Sequence, residues 1–170
     1  VLNNYNNNKS NYVAPETINE ILDNMLVLGE LLGNRQKAQR KVTELNELLT
    51  MTKEKDVDNL KTVLMLFNTN PVMAFGKDSI SGQVLSRAGL KNVINTEGTR
   101  TISLEEILEV DPDYIVLAMR IKNAAEKLND NPIWRELKAV KNDNILIPPT
   151  PHILRPTPRL IYGISEINKT

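Results

Sequence analysis

Three short apolar runs in the second half of the chain constrain the fold more than any other feature of the sequence. They cover residues 62–67, 114–118 and 145–147, and each is flanked on at least one side by Asn, Asp or Pro. Short runs that are apolar without alternation are typical of strands buried on both faces of a parallel sheet. Segments with helical periodicity separate them, as crossover connections require. The sequence therefore predicts an α/β fold, a three-layer sandwich with a mainly parallel sheet.

Two helices are predicted ahead of this sheet. The first runs from Ile18 to Leu32 and is ended by Gly33, which suits a left-handed helix cap. The second runs from Arg35 to Lys55 and has a narrow apolar stripe with a charged opposite face. A narrow stripe suits a long helix that lies along a domain surface or between two domains. Later helices are predicted over 81–88, 103–108, 124–128, 133–137 and 158–167, with a minimal strand at 93–94.

The charge and composition of the chain exclude several classes of function. Lys and Arg number 21 and Asp and Glu number 21, so the formal net charge is zero. A neutral chain offers no broad basic field, and we expect neither nucleic acid nor an anionic lipid surface as a partner. The chain has no cysteine, which excludes a disulfide framework and a thiolate nucleophile. Its single histidine, His152, must carry any imidazole chemistry that the chain has.

The candidate binding residues lie in three loops that follow the predicted strands, over 68–78, 119–123 and 148–156. Open parallel sheets bind ligands beyond the carboxyl ends of their strands. Large soft side chains mixed with cations and an imidazole suit a bulky, partly apolar, anionic ligand, with or without a metal. The candidates are Met73 and Phe75 in the first loop, Met119 and Arg120 in the second, and His152 and Arg155 in the third.

Each candidate also has a purely structural interpretation. Met73 and Phe75 fit equally well as core or loop-anchoring residues, and Met119 continues the alternation of the strand that precedes it. His152 lies in a proline-stiffened loop, where a lone histidine is often structural. Arg155 is able to bind carboxylates or the carbonyls that end a helix.

Enzyme motifs are weak in this sequence. Residues 76–79 read Gly-Lys-Asp-Ser, but the upstream glycine of a phosphate-binding loop is missing. There is no nucleophile elbow and no GxGxxG. An α/β enzyme domain that uses Lys77, His152 and Arg155 on a small anionic substrate remains the alternative hypothesis, and we expect no catalysis.

Three segments, in this order, resemble a known family. They are VLMLFNTNPVMAFGKDSISGQVLSRAGLKNVI from Val63, ISLEEILEVDPDYIVL from Ile102, and IWRELKAVKNDNILIPP with RPTPRLIYGI after it. Together they resemble the C-terminal lobe of helical-backbone (class III) substrate-binding proteins of ABC importers, the group that carries iron-siderophores, haem and cobalamin. Two departures are visible: no first lobe is recognised, and Ala88-Gly89 stands where the family commonly has Gly-Gly.

The resemblance implies a domain division and a set of roles. Residues 1–33 would be a remnant of an N-terminal lobe, residues 34–56 the interlobe backbone helix, and residues 57–170 the C-terminal lobe. Glu105 would dock on arginines of the membrane permease, and the six loop candidates would contact the ligand. His152 would be an axial metal ligand if the cargo is haem. In cobalamin-binding relatives an aromatic residue lies near the position of His152, which weakens that option here.

The resemblance also implies the partners and the location. They would be an ABC permease, its ATPase and a small-molecule metal chelate, with no intrinsic cofactor. The protein would be extracytoplasmic, either periplasmic or attached to the cell membrane by a lipid anchor that this sequence lacks.

Overall fold

The computed structural model describes residues 14–51, 60–118, 124–148 and 151–167, which form helices on both faces of one sheet. The helices are α1 (Ile18–Leu31), α2 (Arg35–Met51), α3 (Ile80–Arg87), α4 (Leu104–Val110), α5 (Ala124–Asp130), α6 (Pro132–Glu136), α7 (Lys138–Lys141) and α8 (Leu160–Ile167). The strands are β1 (Thr62–Thr69), β2 (Val72–Phe75), β3 (Lys91–Asn92), β4 (Thr99–Thr101), β5 (Tyr114–Leu117) and β6 (Ile145–Leu146). A 3-10 helix covers Pro151–Leu154.

The sheet is mixed, with β1 at its centre. Its strand order is β4-β2-β1-β5-β6, and β3 pairs with the start of β1 on the side that β2 occupies further along. The ladders of β1 with β3, β1 with β5 and β5 with β6 are parallel. Those of β1 with β2 and of β2 with β4 are antiparallel. The ladders thus join the three predicted strands in parallel and add an antiparallel extension.

Two apolar clusters fill the spaces between the sheet and its helices. Val63 and Met65 of β1 point into a cluster that α1, α2, α3 and α8 share, whereas Leu64 and Leu66 point into one that α4 to α7 cover. All four side chains are fully buried. Burial on both faces explains why this strand is apolar at successive positions. The three-layer α/β prediction is therefore confirmed. Among the described helices, none is both long and apolar enough to cross a membrane.

Helices α1 and α2 pack on the same cluster as the rest of their layer. Thr17 caps α1 by accepting a hydrogen bond from the Glu20 N–H, and Ile18 and Leu22 are buried below the cap. Leu45 of α2 is fully buried in that cluster. The assignment of residues 1–33 and 34–56 to parts outside the C-terminal lobe stays a prediction.

Several predicted elements need correction. Met73 and Phe75 were expected in a loop, but they lie in β2, because residues 72–75 pair with both β1 and β4. The minimal strand lies at Lys91–Asn92 rather than at 93–94, and β4 was not predicted. The helix expected to reach Lys55 is described as far as Met51, and residues 52–59 lie outside the described part.

A polar cluster around Asp113 fastens the starts of β1 and β5 together. Its carboxylate accepts hydrogen bonds from the backbone N–H and the hydroxyl of Thr62, at 2.7 and 2.8 Å. The ammonium of Lys138 lies 3.3 Å from the same carboxylate. Burial acts to raise the pKa of Asp113, but the contacts with Thr62 and Lys138 outweigh it and hold the pKa below its ordinary 3.8. The folded state therefore favours the ionised carboxylate.

We expect Asp113→Ala to lower the free energy of unfolding by about 1–3 kcal/mol at neutral pH, because the Thr62 N–H loses its acceptor. Since the pKa of Asp113 is lower in the folded state than in the unfolded state, the stabilisation from its charge is complete above about pH 5 and is lost as the pH falls through the folded value. Urea unfolding at neutral pH and at about pH 3 measures the difference, which should narrow in acid. Asp23→Ala, at an exposed position of α1, is the control. If Asp113→Ala lowers the free energy of unfolding equally at both pH values, the effect comes from packing and not from the charge of Asp113.

Candidate functional site

The carboxyl ends of four strands share one edge of the sheet. β5 and β6 run parallel to β1. β4 runs in the same direction, because β2 is antiparallel to both β1 and β4. The β1–β2 turn, the segment that follows β6 and the start of α4 therefore lie at this edge, where open α/β sheets bind their ligands. We call it the ligand edge.

The β1–β2 hairpin brings two candidate residues to the ligand edge. Met73 is half-buried and pairs with Asn68 of β1 and Thr101 of β4. Phe75 is half-buried and packs against the cluster that α3 and α8 share with the sheet. Its ring meets that of Phe67 edge to face, with centroids 5.7 Å apart and ring planes at 88°.

The 3-10 helix and the residue that follows it carry the third pair of candidates. His152 is half-buried and Arg155 is exposed. The buried hydroxyl of Ser81, in the first turn of α3, donates a 2.9 Å hydrogen bond to the Ile153 carbonyl. On the other side Gly163 of α8 makes room for this segment, because a Cβ there would lie 2.5 Å from the side chain of Ile153. The position of His152 is thus fixed by two helices of the same layer.

The loop candidates Met119 and Arg120 lie outside the described residues. The other four are described, and the structure places Phe75 and the 3-10 helix on the same face of the sheet. Across the described ranges, no group of three or more His, Asp or Glu residues is arranged to hold a metal ion.

Glu105 lies at the start of α4, on the opposite layer but at the same edge. Ser103 caps the helix and Glu106 completes a capping box with it. The Arg100 guanidinium, 2.7 Å from Glu106, and the Ser103 N–H hold the pKa of Glu106 below its ordinary value. The Glu105 side chain is exposed and, within the described part of the chain, makes no hydrogen bond or ion pair. The Glu106 carboxylate thus stabilises the start of α4, whereas the Glu105 carboxylate is exposed to a partner.

Two residues at the ligand edge were missed by the sequence analysis. Phe67 ends a run that was interpreted as core, yet it is 38% exposed. Its contact with Phe75 places it on the same face as Val63 and Met65, but its exposure depends on where the layer ends. Ser81 holds the 3-10 helix across 72 residues of sequence, and no local pattern signals such a contact.

Comparison with known proteins gives a consistent family. The family model described as periplasmic binding protein matches residues 4–150. The iron-uptake system-binding protein of Bacillus subtilis is 28% identical over 142 residues, which cover 74% of this chain and 44% of that protein. The vitamin B12-binding protein of Salmonella typhimurium is 28% identical over 164 residues, which cover 92% of this chain and 60% of that protein.

The solved structures agree with the sequence comparisons. An ABC-type Fe3+-hydroxamate transport system from Saccharomonospora viridis has a TM-score of 0.74 at 26% identity, over 92% of this chain and 56% of that one. The chain spans about half the length of the curated relatives that it matches.

Proposed function

The chain belongs to the periplasmic binding protein family, as its sequence motifs predicted, and from this premise we propose that it is part of the substrate-binding component of an ABC importer. It captures an iron chelate, either a siderophore or haem, outside the cell membrane and delivers it to a permease and its ATPase. The family match over residues 4–150 carries the proposal. No covalent step is required of the protein, because capture and release suffice for delivery.

The geometry of the ligand edge supports this proposal. At this edge lie the β1–β2 hairpin with the apolar side chains of Met73 and Phe75, the half-buried imidazole of His152 and the exposed cation of Arg155. Ferric chelates of the siderophore type are bulky and often anionic, and a guanidinium binds such groups through charge-assisted hydrogen bonds. The iron-uptake and Fe3+-hydroxamate names of two similar proteins favour the same class of cargo.

We expect Arg155→Ala to weaken binding of an anionic ferric chelate about tenfold, the effect of losing one charge-assisted hydrogen bond. Calorimetric titration with ferric siderophores and ferric citrate measures the dissociation constant. Arg135→Ala is the matched control, because Arg135 is also exposed but lies in α6 on the opposite layer. An equal loss in both variants would mean that overall charge, not this position, governs affinity. Turnover of the bound compound would favour the enzyme alternative.

Haemin distinguishes the two kinds of iron chelate. If the Soret band of haemin shifts on mixing with the protein, and this shift is lost in His152→Ala, haem is the cargo and His152 is its axial ligand. Tight binding of a ferric siderophore without any Soret change from haemin would identify a siderophore. His152→Gln keeps a polar side chain at the same position and controls for loss of packing around the 3-10 helix.

Cobalamin is the second candidate cargo, because the vitamin B12-binding relative covers 92% of this chain. Titration with cyanocobalamin tests it directly. Micromolar or tighter binding of cobalamin, without binding of ferric chelates, would replace iron as the cargo and leave the importer role unchanged.

A further inference from the structure

Phe67 occupies an unusual position at the ligand edge. The pairing of β1 with β2 shifts between Leu66 and Asn68, so that Phe67 is the extra residue of a β-bulge. Bulges re-aim side chains and are frequent beside binding sites. The four residues before Phe67, from Val63 to Leu66, are fully buried, whereas Phe67 is 38% exposed. The bulge thus lies where the strand leaves the core and enters the site.

The contact with Phe75 makes Phe67 part of an aromatic pair. The chain contains 2 Phe residues in all, and both lie here, edge to face at 5.7 Å. Phe75 is anchored because it packs against the buried cluster below it. An anchored ring that supports an exposed one gives a rigid apolar surface. Exposing such a surface costs free energy unless a ligand covers it.

We propose that the Phe67–Phe75 pair is an aromatic subsite that selects chelates with a flat aromatic ring system over aliphatic chelates. The inference rests on the proposed function and names the class of cargo. A catecholate or a porphyrin ring gains affinity from stacking or edge contact with Phe67, because aromatic rings attract one another in these geometries beyond the area that they bury. Citrate has no ring and gains nothing from this contact.

The test compares two ferric probes on the full 170-residue chain. The first is the ferric tris-catecholate of 2,3-dihydroxybenzoate, and the second is ferric citrate. We expect Phe67→Ala to weaken binding of the catecholate about tenfold or more and to change citrate binding less than about twofold. Phe67→Leu, which keeps apolar volume but removes the ring, should recover only part of the loss. Leu108→Ala is the matched control, because Leu108 is also 38% exposed but lies in α4.

The outcomes separate this inference from the proposed function. If the unmodified chain binds neither probe nor haemin, the proposed function fails. If it binds the probes but Phe67→Ala affects both equally, or affects neither, the aromatic subsite is wrong while the proposed function stands. A urea midpoint unchanged by Phe67→Ala and Phe67→Leu confirms that the variants are folded, as expected for a side chain outside the core.

Discussion

Charge reversal at Glu105 is expected to weaken docking on the permease, and with it delivery of cargo, about thirtyfold or more, and to leave capture of the cargo unchanged. The side chain is exposed at the first turn of α4 and makes no polar contact within the described residues. It lies at the ligand edge but on the layer opposite to His152 and Phe75, so that a partner can reach it while cargo is bound. The described fold uses this carboxylate only through its favourable place in the first turn of α4, so its replacement should cost no more than about 1 kcal/mol of stability.

The size of the effect follows from the energetics of docked charge pairs. Removing one partner of a hydrogen-bonded charge pair at an interface costs about 2–5 kcal/mol, and reversal adds repulsion between like charges. Glu105→Lys should therefore weaken the complex with a permease about thirtyfold or more. Glu105→Gln keeps the shape of the side chain and one hydrogen-bond acceptor. Its affinity for the permease should therefore lie between that of the unmodified protein and that of Glu105→Lys. The ATPase rate of the permease complex in vesicles, measured against the concentration of loaded binding protein, reports this affinity.

A matched charge reversal tests whether the position matters. Glu47→Lys is suitable, because Glu47 is an exposed acid on helix α2. We expect this variant to stimulate the ATPase as the unmodified protein does. Stimulation that persists in Glu105→Lys, or that is lost equally in Glu47→Lys, would show that Glu105 is not the docking residue. Chelate affinity within about twofold of the unmodified protein in all variants would separate docking from capture.

The elements that the sequence predicted well are those whose residues are buried on both faces. Residues Val63 to Leu66 and Ile115 to Leu117 are almost fully buried, so each had to be apolar, and the runs were visible. The antiparallel strand β4 could not be recognised in the sequence, because most of its residues are not buried. Two of the three residues of β4, Thr99 and Thr101, are exposed, and the strand is defined by its pairing with β2 alone. Edge strands of this kind carry little pattern in the sequence.

The candidate site was predicted in part, and its limits have a physical cause. Met73 and Phe75 lie in β2 and not in the predicted loop, and the role of all four described candidates in binding stays a prediction. The topological rule that ligands bind beyond the strand ends selected these two together with His152 and Arg155, because it needs only the order of the elements. It could not distinguish Phe67 from the core residues before it, because all five are apolar and consecutive. The contact of Ser81 with Ile153 depends on how α3 meets a segment 72 residues away, and only the three-dimensional packing shows it.

Gly82→Ala is expected to destabilise the fold by about 3 kcal/mol, because α3 begins in direct contact with backbone. A Cβ at residue 82 would lie 2.5 Å from the Lys77 carbonyl oxygen and closer still to that of Gly76. Neither oxygen can rotate away as a side chain would. The Gly76 N–H donates to the Gly98 carbonyl at 2.7 Å and the Lys77 N–H to that of Ile94 at 2.9 Å, so the loop is held from the other side as well. Relief of the overlap therefore requires α3 itself to move.

Movement of α3 should reach the ligand edge, because Ser81 of that helix holds the 3-10 helix that carries His152. We therefore expect Gly82→Ala to lower both the urea midpoint and the affinity for the ferric chelate. Ser86→Ala, exposed in the same helix, is the control for a general effect of alanine in α3 and should change neither. A variant with normal stability would show that the loop yields to the added methyl group. Lost stability with normal chelate affinity would instead mean that the 3-10 helix keeps its place without α3, so that Gly163 and α8 alone position the third loop of the site.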